Sequence, residues 1–545
     1  MKLRLFNHSP VTLLVFLFLI LAIAATTRAI RKQETTGAEE KPGRAAVSMA
    51  ESKPATAATN SPADGELARL IDQAIDQSEF SSARWGLIVI SRSDGRTLYA
   101  RNADKLFTPA SNMKIYTTTV ALDLLGANYQ WRTSVYSASQ PDTDGVLKSD
   151  VTLYGRGAPD LLSRPKKDET ASLVKLADEL YQRGVRHIRG HVIGDESYFR
   201  ADPLGDGWQW NDVQWYFGAE PSALSIDDNE VDLQIEPSNN PNDPPVVKLS
   251  NAQDYVHLAN NMATVKRGEQ MTVGIHRGVS DNEVRVWGDY PLGSRPFGAR
   301  LSIHDPALRA ARLFMDALRA RGIAVEGAAH TRDFRVPASE RFDPSHAVEL
   351  AYVSSKPLSE VVRATNKESI NLNAELILRT LGRERGEIAP DTDPHKTHER
   401  GDDEAGLAVI RLWLNRANIP TNNLALHDGS GLSRLDLVTP EATARLLMAI
   451  SRTASASVFQ ESLPIAGRDG TLKGRLRTFR DRVSAKTGSL TYDNSLSGFL
   501  TAADGTALVF SIICNDQTGR ASSTRLIDEI VTILATYPSA KAGNP

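Results

Sequence analysis

The sequence predicts an α+β protein in which both ends of the folded chain build one core and a long insertion separates them. Two hairpins and a length argument carry this expectation. Trp85 to Ile90 is apolar and β-branched, Ser93-Asp94-Gly95 is a turn, and Thr97 to Ala100 returns as a second strand. Near the other end, Leu496 to Ala502 and Thr506 to Asn515 form a second hairpin across Asp504-Gly505. At 545 residues the chain exceeds what one ordinary core organises, so it must divide into two or more domains.

Each element follows from its local pattern. Lys2 and Arg4 precede an apolar run from Val11 to Ala25, with small residues at Ala22, Ala24 and Ala29 where cleavage could occur. Residues 1–29 therefore read as a signal peptide or an uncleaved anchor, and either places the remainder outside the cytoplasm. Residues 30–64 are rich in Ala, Thr, Glu, Lys, Ser and Pro without aromatics, the composition of a flexible linker. Leu67, Leu70, Ile71 and Ile75 recur at helical spacing and open the folded part. The last helix places Leu526, Ile530, Ile533, Leu534 and Tyr537 on one face. The first part of the core is expected over 65–144 and the second over 346–538, followed by a tail at 539–545.

Between them, residues 145–345 are expected to form one or two inserted accessory domains. Leu173 to Arg183 reads as a helix closed by Gly184 and followed by a strand. Asp305-Pro306 starts a second helix, which ends at Arg321-Gly322 and is also followed by a strand. Asp178 to Gly184 and Asp316 to Gly322 look alike, so a weak internal duplication and a chance similarity both stay open. Val231 to Ile235, Met271 to Ile275 and Glu283 to Trp287 are strand-like.

Composition excludes some functions. The net charge is −3 and no basic block occurs, which argues against a nucleic-acid binder. The single cysteine, Cys514, cannot form an intrachain disulfide and sits in an apolar strand as a core residue. The 11 histidines show no metal-ligand spacing, so neither metal nor cofactor is expected.

Chemistry first shows at Thr108-Pro109-Ala110-Ser111-Asn112-Met113-Lys114. Pro109 suits a helix entry, so Ser111 falls in the first turn, where unpaired N–H groups favour a developing oxyanion. Lys114 lies three residues on, on the same face, within reach of the Ser111 hydroxyl. An ammonium cannot accept a proton, so Lys114 must be held neutral by burial or by a neighbouring cation. The spacing alone is cheap, since Ser163/Lys166 and Ser172/Lys175 share it.

Two further elements sharpen it. Lys486-Thr487-Gly488-Ser489 contains the chain's one Lys-Thr-Gly. On a strand edge, Lys486 and Thr487 would offer donors to a ligand carboxylate, and Gly488 would let the ligand backbone approach. Ser-x-Asn occurs at Ser238, Ser280 and Ser369. Ser280 falls in a polar turn of the insertion, whereas Ser369-Ile370-Asn371 opens a helix over Asn373 to Leu381, closed by Gly382, in the segment returning to the core.

Taken in order, Ser111/Lys114, Ser369/Asn371 and Lys486/Thr487/Gly488 resemble the motif set of penicillin-binding proteins and serine β-lactamases. The long stretch between the first two motifs is similar to the class C low-molecular-mass penicillin-binding proteins, which are D-alanyl-D-alanine carboxypeptidases and endopeptidases. So are Gly155 to Leu161, Gly207 to Asp212, Ser222 to Ser225 and Asp428 to Arg434. One departure is Ala158 before Pro159, where that family more often has an acidic residue.

The resemblance implies a β-lactamase/transpeptidase-like domain, with an antiparallel sheet flanked by helices and a helical lobe. It further implies an acyl-enzyme on Ser111, an oxyanion hole from the Ser111 and Ser489 N–H groups, and proton relay through Ser369. Asn371 would position Lys114, Lys486 and Thr487 would hold the terminal carboxylate, and Asp212 and Arg434 would meet a diaminopimelate side chain. The partners so implied are peptidoglycan stem peptides, with β-lactams as inhibitors. Two readings stay open beside it, a β-lactamase or esterase of the same fold and a non-catalytic wall-binding protein.

Overall fold

The computed structural model describes residues 62–159, 161, 171–241, 243–250, 255–386, 401–421, 423–519 and 521–536. The leader at 1–29, nearly all of the linker at 30–64, Asp160 and the tail at 539–545 lie outside the described residues.

Both chain ends enter one five-stranded antiparallel sheet, in the order Val483–Leu490, Asp493–Thr501, Ala507–Asn515, Arg84–Ser91, Thr97–Arg101. The strand Arg84–Ser91 is apolar almost throughout because both of its faces are covered. Leu87 and Val89 point to one side, where Leu67, Ile71 and Ile75 of the helix Pro62–Asp76 meet Ile527, Ile530 and Leu534 of the helix Thr524–Thr536. Ile88 and Ile90 point to the other, into a helical lobe.

At the centre of that lobe is the helix Met113–Leu124, buried at every position from Met113 to Leu122. A helix covered all round has no polar stripe, and this one carries Thr117, Thr118 and Thr119 where a surface helix would carry charges. Around it pack the helices Leu358–Glu368, Asn371–Arg385, Asp402–Arg416 and Pro440–Ile450.

Two points differ from the sequence expectation. Gly382 does not close its helix, which runs through it to Arg385. The glycine is there for close packing, since a Cβ would lie 1.8 Å from the Asp402 carbonyl oxygen of the facing helix. Ser369 does not open a helix but caps the end of Leu358–Glu368 in the left-handed region, at φ 59° and ψ 41°. The next helix begins at Asn371, so the Ser-x-Asn element forms the elbow between two helices.

The insertion holds two further hydrophobic clusters. One lies under a five-stranded sheet in the order Ala329–Arg332, Val192–Asp195, Val151–Tyr154, Arg132–Ser137, Val348–Ser354. The last two strands of that order, Arg132–Ser137 and Val348–Ser354, lie outside the 145–345 range, one before it and one after it in the chain. The look-alike units, helices Ala171–Gln182 and Pro306–Ala320 with their strands, lie side by side: His187 pairs with Ala324 and Val192 with Ala329, both in parallel. The other cluster joins two three-stranded sheets through Leu233, Val284, Val286 and Leu301.

The packing at Gly382 fixes the sign of one substitution. Intrinsic propensity would make Gly382→Ala stabilising by about 1 kcal/mol. Because the new Cβ would meet backbone, the expected outcome is instead a loss of about 1–3 kcal/mol, read as a lower midpoint in denaturant unfolding.

Candidate active site

The turn that carries Ser111 is braced by two adjacent strands of the central sheet. Pro109 leads into a short 3-10 turn over Ala110–Asn112, which runs on into the helix Met113–Leu124. Ala110 takes a positive φ of 49°, a sparsely populated region for a residue with a Cβ. The strand Asp493–Thr501 steadies this turn: Ser495 Oγ donates to the Pro109 carbonyl at 2.7 Å, and Asn112 Nδ2 donates to Ser497 Oγ at 2.8 Å.

The strand Val483–Leu490 lies at the sheet edge beside it, with Lys486 paired to Ser497 and Gly488 to Ser495. A Cβ on Gly488 would lie 2.2 Å from Ser495 Oγ, 2.8 Å from the Pro109 carbonyl oxygen and 3.0 Å from the Ser111 nitrogen. The glycine thus lets the strand press on the serine elbow itself, a closer constraint than the ligand approach expected from sequence.

Three acceptors meet the Lys114 amine. Nζ lies 2.9 Å from Ser111 Oγ, 2.6 Å from Asn371 Oδ1 and 2.8 Å from the Ser430 carbonyl oxygen. Lys114 has no solvent exposure. Burial pushes its pKa down to about 7, opposed by the nearby carboxyls of Asp428 first, then Glu375 and Asp436. Asn371 is oriented in turn, its Nδ2 donating to the Phe217 carbonyl at 2.8 Å.

A second lysine is also buried. Lys486 Nζ donates to Ser369 Oγ at 2.8 Å and to the Thr487 carbonyl at 2.8 Å. Burial first, and then the nearby Lys114, hold it well below the ordinary lysine range. Lys486 therefore stands behind Ser369 and not on the cleft wall, as its sequence context suggests. Thr487 does reach the wall, its Oγ1 2.8 Å from Thr471 Oγ1.

These groups open into one cleft of about 910 Å³, lined by Ser111, Ser369, Asn371, Thr487 and Ser489 among others. Asp212 and Arg434 line it as well. Burial raises the Asp212 pKa, with Arg434 opposing. Arg434 donates to Asp493 Oδ2 at 3.0 Å and to the Thr491 carbonyl at 3.1 Å. The competing pairs lie elsewhere: Ser172/Lys175 on an accessory helix, and Asn282 donating to the His304 carbonyl at 3.0 Å. Ser163 and Lys166 lie outside the described residues.

Sequence reasoning missed a layer of buried carboxyls behind Lys114. Glu375 Oε1 accepts from the Gly429 N–H at 3.0 Å, and its pKa is pushed up to about 8 by burial and then by Asp428. Asp436 is raised well above its ordinary value by the same two causes. One available signal was an acid, Glu375, within the otherwise apolar run Ala374 to Leu378.

The family model described as the D-Ala-D-Ala carboxypeptidase 3 (S13) family matches residues 67–537. A D-alanyl-D-alanine carboxypeptidase of Actinomadura sp. (strain R39) is 32% identical over 490 residues, covering 88% of this chain and 86% of the relative. A D-alanyl-D-alanine carboxypeptidase of Haemophilus influenzae is 27% identical over 435 residues, covering 78% of this chain and 84% of that one. The crystal structure of penicillin binding protein 4 from Haemophilus influenzae superposes with a TM-score of 0.71 at 25% identity, covering 85% of this chain and 97% of that one. This chain belongs to the D-Ala-D-Ala carboxypeptidase 3 (S13) family, and it is a serine-type carboxypeptidase.

Proposed function

We propose that the enzyme cleaves the bond between D-amino residues of peptidoglycan stem peptides, and of the cross-links made from them, through an acyl-enzyme on Ser111. The observation that carries this reading is the Lys114 amine, fully buried and 2.9 Å from Ser111 Oγ. With a pKa near 7, a substantial fraction of Lys114 is neutral at neutral pH and can accept a proton.

Lys114 takes the proton of Ser111 as Oγ bonds to the substrate carbonyl carbon, and the N–H groups of Ser111 and Ser489 receive the oxyanion. As the tetrahedral adduct collapses, the C–N bond breaks and the leaving amine takes the hydroxyl proton of Ser369, whose Oγ is held by Lys486; the proton that Lys114 took from Ser111 is passed on to Ser369, so that the hydroxyl is restored and Lys114 is neutral again. Asn371 fixes the Lys114 amine. Water then adds to the ester carbonyl, giving up a proton to Lys114. The ester bond breaks, Ser111 recovers its hydrogen, and the shortened peptide leaves as an acid. Lys486 acts through Ser369, while Thr487 and Ser489 on the wall meet the terminal carboxylate.

Asp212 and Arg434 are assigned to the amine and carboxylate of a diaminopimelate side chain, the first from the inserted residues 145–345 and the second from the core residues 346–538. A β-lactam, which mimics the D-amino dipeptide, acylates Ser111 in its place. The residues 1–29 carry the enzyme out of the cytoplasm, to the compartment that contains its substrate. Among the described residues, no helix is long and apolar enough to cross a membrane.

Three measurements test these assignments. Incubation with penicillin is expected to add one covalent mass to the protein, and Ser111→Ala to take none. Absence of the adduct from the unaltered enzyme would sink the mechanism. Acylation is expected to rise with pH through about 7, since only the neutral amine accepts a proton and Lys114 is charged below that value. In Lys114→Arg, whose guanidinium stays charged, acylation should fall by about 10²–10⁴-fold at pH 7. Finally, Asp212→Ala should narrow the kcat/KM ratio between stem peptides with and without the diaminopimelate amine. An unchanged ratio would remove Asp212 from specificity.

A further inference from the structure

The segment 427–434 is drawn tight around one carboxylate. Asp428 is 1% exposed. Its Oδ1 accepts from the Ser430 N–H at 3.1 Å and the Gly431 N–H at 2.6 Å. Its Oδ2 accepts from the Ser433 N–H at 2.7 Å, Ser430 Oγ at 3.2 Å and the indole Nε1 of Trp208 at 2.9 Å. With both oxygens met by N–H donors, the peptides at Ser430, Gly431 and Ser433 are fixed in direction.

Two of those residues touch the acylation machinery. The Ser430 carbonyl lies 2.8 Å from Lys114 Nζ. Gly431, at φ 79°, is pressed against the serine elbow so closely that a Cβ would lie 1.8 Å from the Ala110 carbonyl oxygen. On its other side the segment is laced to the stretch that carries Asp212. His427 Nδ1 lies 2.9 Å from Asp206 Oδ2, the Arg434 N–H donates to the Gly207 carbonyl at 3.3 Å, and Trp208 completes the seam.

We propose that Asp428 is a positioning residue for acylation: it aims the Ser430 carbonyl at Lys114, places a carboxylate behind that amine, and through Trp208 couples both to the segment carrying Asp212. This role rests on Lys114 being the base, as proposed above.

The groups facing Lys114 come from four elements. Its own helix and the turn before it bring Ser111, and the helix Asn371–Arg385 brings Asn371 and Glu375. The loop around Asp428 brings the Ser430 carbonyl, Asp428 and Asp436, and the edge strand brings Lys486. Among the three carboxyls Asp428 has the richest set of donors. Glu375 accepts the Gly429 N–H, and Asp436 takes the His427 and Asp428 N–H groups on one oxygen and faces the Asp428 side chain. The charge of Asp428 favours the protonated form of Lys114, against burial, and removing it should lower the pH at which Lys114 becomes a base.

The test is the rate of Ser111 acylation by penicillin across pH, measured on the full chain. In Asp428→Asn the acid limb of the profile is expected to move down by about one pH unit, with the plateau falling by about tenfold as the Ser430 carbonyl loses its aim. In Trp208→Phe, which keeps an aromatic ring but withdraws one donor, the carboxylate acts more strongly on Lys114. Its limb is expected to move the other way, by a few tenths of a unit. Limbs fixed at the wild-type pH in both variants would overturn the proposal, whatever happens to the plateau. If Asp428→Asn does not fold, an unmoved limb in Trp208→Phe overturns it alone. An unaltered enzyme that takes no penicillin defeats the underlying acyl-enzyme reading, whereas normal acylation with fixed limbs defeats the positioning role only.

Discussion

A primary amine taken wholly out of water is the constraint that shapes the centre of this molecule. Burying an ammonium costs several kcal/mol unless hydrogen bonds compensate it or the group gives up its proton. Lys114 meets both conditions halfway. It has three acceptors within 2.9 Å and a pKa pulled down to about 7. Those acceptors come from three places far apart in the chain, the serine elbow, the start of the helix at Asn371 and the loop at Ser430. The lobe must therefore assemble in full before the amine has its partners, and the chemistry is as cooperative as the fold.

The edge strand of the central sheet depends on the same assembly from the other side. Its register sets Lys486 opposite Ser497 and Gly488 opposite Ser495, and those two serines hold Asn112 and Pro109. A slip of one residue would turn Lys486 to the opposite face of the sheet. In the proposed reaction the two lysines serve different ends: Lys114 contacts Ser111 Oγ, assigned as the attacking oxygen, and Lys486 holds Ser369, assigned to protonate the leaving amine. Lys486 lies in the field of Lys114, which disfavours charging both.

How far this could be read from residues alone depended on the range of the interaction. The Ser111/Lys114 pair is separated by one helical turn, so spacing sufficed to bring amine and hydroxyl together. Both hairpins and the terminal helix were local patterns too, and the sheet that joins them followed from two apolar strand pairs needing a common core. Ser369/Asn371 could be preferred over Ser280 only through its place in the chain order. Its left-handed elbow was invisible, because the cap is set by where the next helix must go. The burial of Lys486 was also hidden: a lysine before Thr-Gly on an edge strand reads as exposed, whereas its side chain is fully buried with the helix elbow bringing Ser369 to its amine. Least legible was the carboxyl layer of Glu375, Asp428 and Asp436, since burial of an acid is decided by contacts tens to hundreds of residues away.

That layer bears on why a nucleophile domain should be interrupted by so long an insertion. The inserted residues are not joined to the core only at their ends. Asn371 donates to Phe217, Trp208 to Asp428, and Arg379 Nη2 to the Asp202 carbonyl at 2.6 Å, so the accessory chain supplies acceptors and donors to the helix and loop that hold Lys114. A buried arginine such as Arg379, 1% exposed, requires such partners. The accessory segment from 202 to 217 is thus part of the packing of the base as well as a wall of the cleft. On the proposed mechanism, a change made there to alter substrate preference would also be felt at Lys114, which ties specificity to acylation rate.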